Sequence, residues 1–104
     1  MAFREFQLYT SKYPGTIFES SALFYMGYCR YELHQYSAAI EQFQLYMMNF
    51  PKGNEAPTAL ILMGESYAKM EDLQNARSAF KQVLERFPDS SYATAAKQKL
   101  TKLP

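Results

Sequence analysis

The sequence has no tryptophan, one cysteine, one histidine and four glycines, and each scarcity removes a class of function. Cys29 has no second thiol to pair with, so no internal disulfide is available; the count suits a reducing compartment and leaves the periplasm open. The glycines Gly15, Gly27, Gly53 and Gly64 stand apart from one another, so the chain has no Gly-rich loop to cradle a phosphate. His34 lacks a second histidine or a nearby cysteine with which to complete a metal site. No apolar run approaches the ~20 residues that span a bilayer. The opening does not read as a signal peptide, because Met1 leads directly into an amphipathic segment carrying Arg4 and Glu5. The expectation is therefore a cytoplasmic protein, or one whose targeting segment lies outside this chain. Charge of one sign is missing too. Eleven basic and ten acidic side chains leave a formal net charge of +1, which supports neither nucleic-acid binding nor a polybasic membrane patch.

What remains is an ordinary globular balance. A chain of 104 residues, 48% apolar and 20% charged, is one domain with a modest core and no depth for an enclosed active site. Nine tyrosines and eight phenylalanines in so short a chain suggest packing between helices rather than a thin two-layer sheet.

Self-similarity organises those residues. Pro14, Pro51 and Pro88 recur every 37 residues, each after an aromatic: Tyr13, Phe50 and Phe87. The same step relates Phe6, Phe43 and Phe80; Ala2, Ala39 and Ala76; Ala22, Ala59 and Ala96; and Gly27 with Gly64. A shared period across four residue types marks a repeat protein.

Each unit reads as a pair of helices. Apolar positions at helical spacing run through residues 17–33 and 55–70, and again through 36–49 and 73–86. Thr16 with Glu19 fits a capping box, Asn54 can cap the next pair, and Pro57 suits a first turn, where its missing N–H would be unpaired anyway. The second helices stop at Phe50-Pro51 and Phe87-Pro88, since proline disfavours helical geometry in the residue before it. Glu71 and Asp72 read as turn and cap residues rather than an acid/base pair. Residues 2–13 match a second helix without its first, and residues 90–101 a first helix without its second, polar on one side as a cap should be. The unpartnered start predicts a piece of a longer chain, with some chance of self-association through that end. Gly27 with Ala39, and Gly64 with Ala76, are expected where paired helices cross most closely, with Phe43 and Phe80 filling the space beside the crossings. Truncating Phe43 to Ala is expected to cost about 3–5 kcal/mol.

These residues resemble the tetratricopeptide repeat, whose roughly 34-residue pattern places small, Ala, aromatic and Pro residues at set positions. A unit begun at Ser20 puts Gly27, Ala39, Phe43 and Pro51 there; one begun at Pro57 puts Gly64, Ala76, Phe80 and Pro88 there. Leu23 and Leu60 stand where the family often has Trp; Tyr67 fits the pattern and Arg30 departs from it. The resemblance implies an all-α, right-handed superhelical array of antiparallel helix hairpins, about six helices in all. It divides residues 1–104 into an orphan helix (2–13), repeats (20–53 and 57–90) and a capping helix (90–101). It implies a concave face lined by Ser21, Phe24, Tyr28, Tyr31 and Glu32, then by Thr58, Ile61, Glu65, Ala68 and Lys69. Phe24, Tyr28 and Ile61 would form an aromatic and apolar strip for a partner helix or peptide, unless upstream helices cover it. The Lys, Asn and Arg of carboxylate-clamping chaperone adaptors are not at those places. Cys29 falls where the family has a small residue facing the adjacent helix, which implies a buried, inert thiol. His34 falls in a solvated turn. The methionines, Met47 and Met48 among them, read as core filling.

Narrower still, the aromatic-Pro stops, the extra residues after each proline and the ending Ala95-Ala96-Lys97-Gln98-Lys99-Leu100 look like the C-terminal domain of the periplasmic Tol–Pal-associated family, YbgF or CpoB. The opening Ala2-Phe3-Arg4-Glu5-Phe6 with Tyr13-Pro14 has the same character. That resemblance implies a non-catalytic protein-binding module of the bacterial envelope, located in the periplasm and without a cofactor. It implies TolA and peptidoglycan-synthesis proteins as partners, and a role coordinating outer-membrane constriction with division. It implies no nucleic-acid partner and no membrane insertion. Outer-membrane assembly lipoproteins of the BamD kind use similarly long repeats with aromatic-Pro stops. They supply one alternative, and a generic cytoplasmic adaptor supplies another.

Overall fold

The computed structural model describes residues 17–104, and five α-helices make up nearly all of it: α1 (Ile17–Glu32), α2 (Tyr36–Asn49), α3 (Ala56–Lys69), α4 (Leu73–Arg86) and α5 (Ser91–Lys102). There is no strand among these residues. The expected helix over 2–13 and the Thr16 capping box lie outside the described residues, so the expected six helices become five here.

Two hairpins share one closing device. At the end of α1 the Gln35 N–H reaches the Arg30 carbonyl at 2.9 Å and the His34 N–H the Tyr31 carbonyl at 3.0 Å. At the end of α3 the Asp72 N–H reaches Tyr67 at 2.9 Å and the Glu71 N–H Ala68 at 3.0 Å. Bonds of this pattern need one left-handed residue just past the helix, usually glycine. Here His34 (φ 60°) and Glu71 (φ 63°) take that conformation. Asp72 then caps α4, its carboxylate accepting the Asn75 N–H at 3.4 Å and the Asn75 side-chain amide at 2.7 Å. His34 is exposed, its Nδ1 2.6 Å from the Tyr36 hydroxyl.

The connections between hairpins differ. Both second helices end at their Phe-Pro pairs, with Phe50 and Phe87 as C-caps. After Phe87 the Ser90 hydroxyl caps α5, accepting from the Ala93 N–H at 3.3 Å. After Phe50 the expected Asn54 cap does not form: the N-cap is Glu55, which makes no side-chain cap bond. A tyrosine from the preceding helix takes over. The Tyr46 hydroxyl accepts the Glu55 N–H at 3.0 Å and donates to the Glu55 carboxylate at 2.9 Å. Tyr46 is wholly buried, and burial is the largest of the effects that push its hydroxyl up to about 12. Gly53 leaves room for this bond, since a Cβ there would stand 2.1 Å from the hydroxyl. Pro57 sits in the first turn of α3, as expected.

The small residues act differently from the sequence expectation. Ala39 and Ala76 are wholly buried, but what lies over Gly27 is the Phe43 ring, 2.6 Å from a notional Cβ, and over Gly64 the Phe80 ring, at 2.5 Å. The rings occupy the space the glycines leave empty, rather than space beside a crossing. Phe43 and Phe80 are 0% and 1% exposed and form the centre of a core shared by α1–α5. The core omits some residues expected in it. Leu33 and Met48 stand well exposed at 57% and 78%, and Cys29 is only half-buried.

Helix order in space fixes the site. The first helices α1, α3 and α5 form one layer with α3 central, touching both neighbours. The second helices α2 and α4 each pack on α3 but make no contact with each other. A two-layer stack that closes up on one side and gapes on the other is concave on the closed side.

Candidate functional site

Glu65 stands at the centre of the concave layer, one turn before the end of α3, and its carboxylate ties the layer together. One oxygen accepts the Tyr31 hydroxyl of α1 at 2.9 Å; the other accepts the Lys99 ammonium of α5. Both partners are 34 residues away, so a single side chain joins three successive first helices. Burial above all, then the hydrogen bond and negative charge of Glu65, raises the Tyr31 hydroxyl well above the ordinary phenol range and keeps it a donor.

Around this bridge opens a cleft of about 600 Å³. Tyr31, Ala68 and Phe80 line it beside Glu65, Leu103 closes one side, and Lys69, Lys99 and Lys102 supply its charge. Lys99 is neutralised by Glu65, while the exposed Lys69 and Lys102 have no acidic group within salt-bridge distance among the described residues. Each ends a helix, where a cation also complements the partial negative charge of the C-terminal carbonyls.

The residues expected on the concave face divide into three groups. Tyr31, Glu65, Ala68 and Lys69 come together in the cleft. Phe24 and Ile61, expected as an open strip with Tyr28, are 7% and 9% exposed and belong to the core. The Phe24 ring packs against Phe43 at 6.0 Å and Tyr46 at 6.2 Å, and stacks on Tyr28 at 6.3 Å. Tyr28 is 40% exposed and marks the open edge of that cluster. Ser21 and Thr58 are half-buried and Glu32 is exposed, all three outside the cleft.

Lys99, Lys102 and Leu103 line the cleft and were missed, because α5 read as a cap whose only task was to be polar. A signal was available. Adding the 37-residue period to Glu65 gives Lys102, which makes the last helix a third bearer of inner-face residues. On the opposite side the gap between α2 and α4 forms a shallower groove of about 390 Å³, with Met47, Met48, Leu60 and Met63 along it. Met48, expected as core filling, thus reaches the surface where two second helices stand apart, while Met26 and Met63 are buried as expected.

No helix among the described residues is long and apolar enough to cross a membrane. No group of three or more His, Cys, Asp or Glu side chains gathers there to hold a metal ion. Compared with known families, the chain matches the model of YfiO, described as an outer membrane lipoprotein, over residues 1–104. The match supports the repeat architecture without singling out the Tol–Pal-associated group. No curated protein matches the chain.

Proposed function

The chain belongs to the YfiO family of outer membrane lipoproteins, and on that premise we propose that it is a non-catalytic scaffold of the bacterial envelope that holds protein partners against its concave face. The observation that carries this reading is the family match along the whole chain. The geometry supplies the surface. A layer of first helices, spanned by the Glu65 bridge, presents an open cleft and a tyrosine edge at Tyr28. Large aromatic side chains next to a polar rim are typical anchors for a bound segment. The cleft offers no nucleophile with a base beside it, and its Tyr31, Glu65 and Lys99 are used in bridging helices rather than aimed at a reacting atom. Outer-membrane assembly of the BamD kind is the role this favours, on the periplasmic side of the envelope and without a cofactor. Tol–Pal association, with TolA and peptidoglycan-synthesis proteins as partners, is the second reading. It rests on the aromatic-Pro stops and the ending at residues 95–100.

Site-specific photocrosslinking in cells tests the proposal. A benzophenone amino acid placed at Tyr28 or Thr58 on the concave side, and at Ser78 on α4 as control, would be irradiated and the adducts identified by mass spectrometry. Adducts with outer-membrane proteins from the concave positions support the proposal. Adducts arising from Ser78 alone, or consisting of cytoplasmic proteins, refute it.

A further inference from the structure

The cleft beside Glu65 is selective in charge. Glu65 cancels one of its three lysines, and the two that remain, Lys69 at the end of α3 and Lys102 at the end of α5, face no carboxylate within salt-bridge distance among the described residues. The cleft's apolar lining that reaches solvent is Ala68 and Leu103, both half-buried. Paired cations across an apolar floor are complementary to a chain that places a carboxylate beside an apolar side chain. The chain as a whole is almost neutral at +1, so the local excess belongs to this cleft and is not a general property of the surface.

We propose that the cleft between α3 and α5 binds an acidic segment of a protein partner, in extended form, with its carboxylates on Lys69 and Lys102 and an adjacent apolar side chain against Ala68 and Leu103. This deepens the concave-face reading and rests on it. Glu65 has a double part. It holds Lys99 and Tyr31 so that the cleft keeps its shape, and its negative charge repels a partner carboxylate from the centre and directs it to the two flanking lysines. Recognition of this kind is sensitive to salt, because exposed charges are screened over about 8 Å at physiological ionic strength. It also discriminates against nucleic acid, since two lysines beside a carboxylate make no continuous phosphate track.

The test uses the full chain and two fluorescein-labelled peptides of one length. One alternates Asp and Glu with Leu and Phe; the other carries Asn and Gln in place of the acids. Fluorescence anisotropy is expected to show binding of the acidic peptide only, weakening as salt is raised. Lys69→Gln and Lys102→Gln should each weaken it about three-fold, and about ten-fold together, the scale of exposed charge pairs. Lys69→Arg with Lys102→Arg should keep most of the binding. Equal binding of both peptides, or a double Gln variant that binds as the parent does, overturns the proposal. So does a lowered melting temperature with binding unchanged, which would assign the lysines to the helix ends alone. If phosphatidylglycerol vesicles bind and the acidic peptide does not, the ligand is a lipid surface and the proposal fails. Concave-face crosslinks that persist in cells while the acidic peptide is ignored would leave the scaffold reading standing and remove only this one.

Discussion

Replacing Gly27 with alanine sets two known effects against each other, and the structure decides the sign. In the middle of a helix, alanine is favoured over glycine by about 0.8–1.0 kcal/mol, so an unobstructed Gly27→Ala would stabilise the protein. Here the new methyl would lie 2.6 Å from Phe43 Cε1, 2.8 Å from Cδ1 and 3.0 Å from Cζ. Ordinary carbon contacts fall at about 3.5–4.0 Å, so the ring must retreat by about 1 Å. It has no open space to enter: Phe43 is 0% exposed and sits at the centre of the packed core. Overpacking of this kind costs about 1–3 kcal/mol, and a blocked aromatic belongs at the upper end. The net effect is a loss of about 1–2 kcal/mol, or a melting temperature about 5–15 °C lower for a domain of this size. Thermal and urea denaturation followed by circular dichroism would measure it. Phe43→Leu in the same background should recover part of the loss, giving a coupling of at least about 1 kcal/mol in the double-mutant cycle. A Gly27→Ala variant that melts above the parent would refute the argument that the ring occupies the glycine's empty volume.

Other expectations follow from the same geometry. Tyr46→Phe removes both bonds to Glu55 and should cost about 1–2 kcal/mol in a chemical denaturation curve, with Gly53→Ala lowering stability by blocking the same hydroxyl. Because the Tyr46 hydroxyl is raised to about 12 from the usual 10, its contribution is complete below about pH 10 and is lost as pH climbs through the folded value. Alkaline unfolding should thus begin above about pH 10, and Tyr46→Phe should flatten that part of the stability profile. Asp72→Ala, which uncaps α4, should cost about 1 kcal/mol by thermal melting. His34→Gly and Glu71→Gly relieve left-handed side-chain residues and should each raise stability by about 0.5–1 kcal/mol; a loss at both would argue against those turns.

The corrections show where the physics of a linear pattern stops. Ile61 belongs on the inner face by its place in the repeat, yet it is 9% exposed and packs within the shared core. An Ile61→Ala variant would therefore report on packing and not on binding. Asn54 has the side chain of a cap, but the helix starts one residue later, with Glu55 as N-cap, and the Tyr46 hydroxyl holds the Glu55 N–H from across the loop. Met48 has core character and stands 78% exposed, since α2 and α4 diverge and leave nothing to cover it.

The sequence by itself determined the period and the helix boundaries to within a residue or two. These follow from local constraints of propensity, proline geometry and the apolar stripe, which act over a few neighbouring residues. Tertiary structure alone decided that Glu65 joins Tyr31 to Lys99, each 34 residues distant, and that Lys69 and Lys102 are left to charge the cleft. Such a bridge depends on how far successive hairpins rotate as they stack. That rotation is set by the summed packing of buried side chains in α2, α3 and α4, which no single segment encodes.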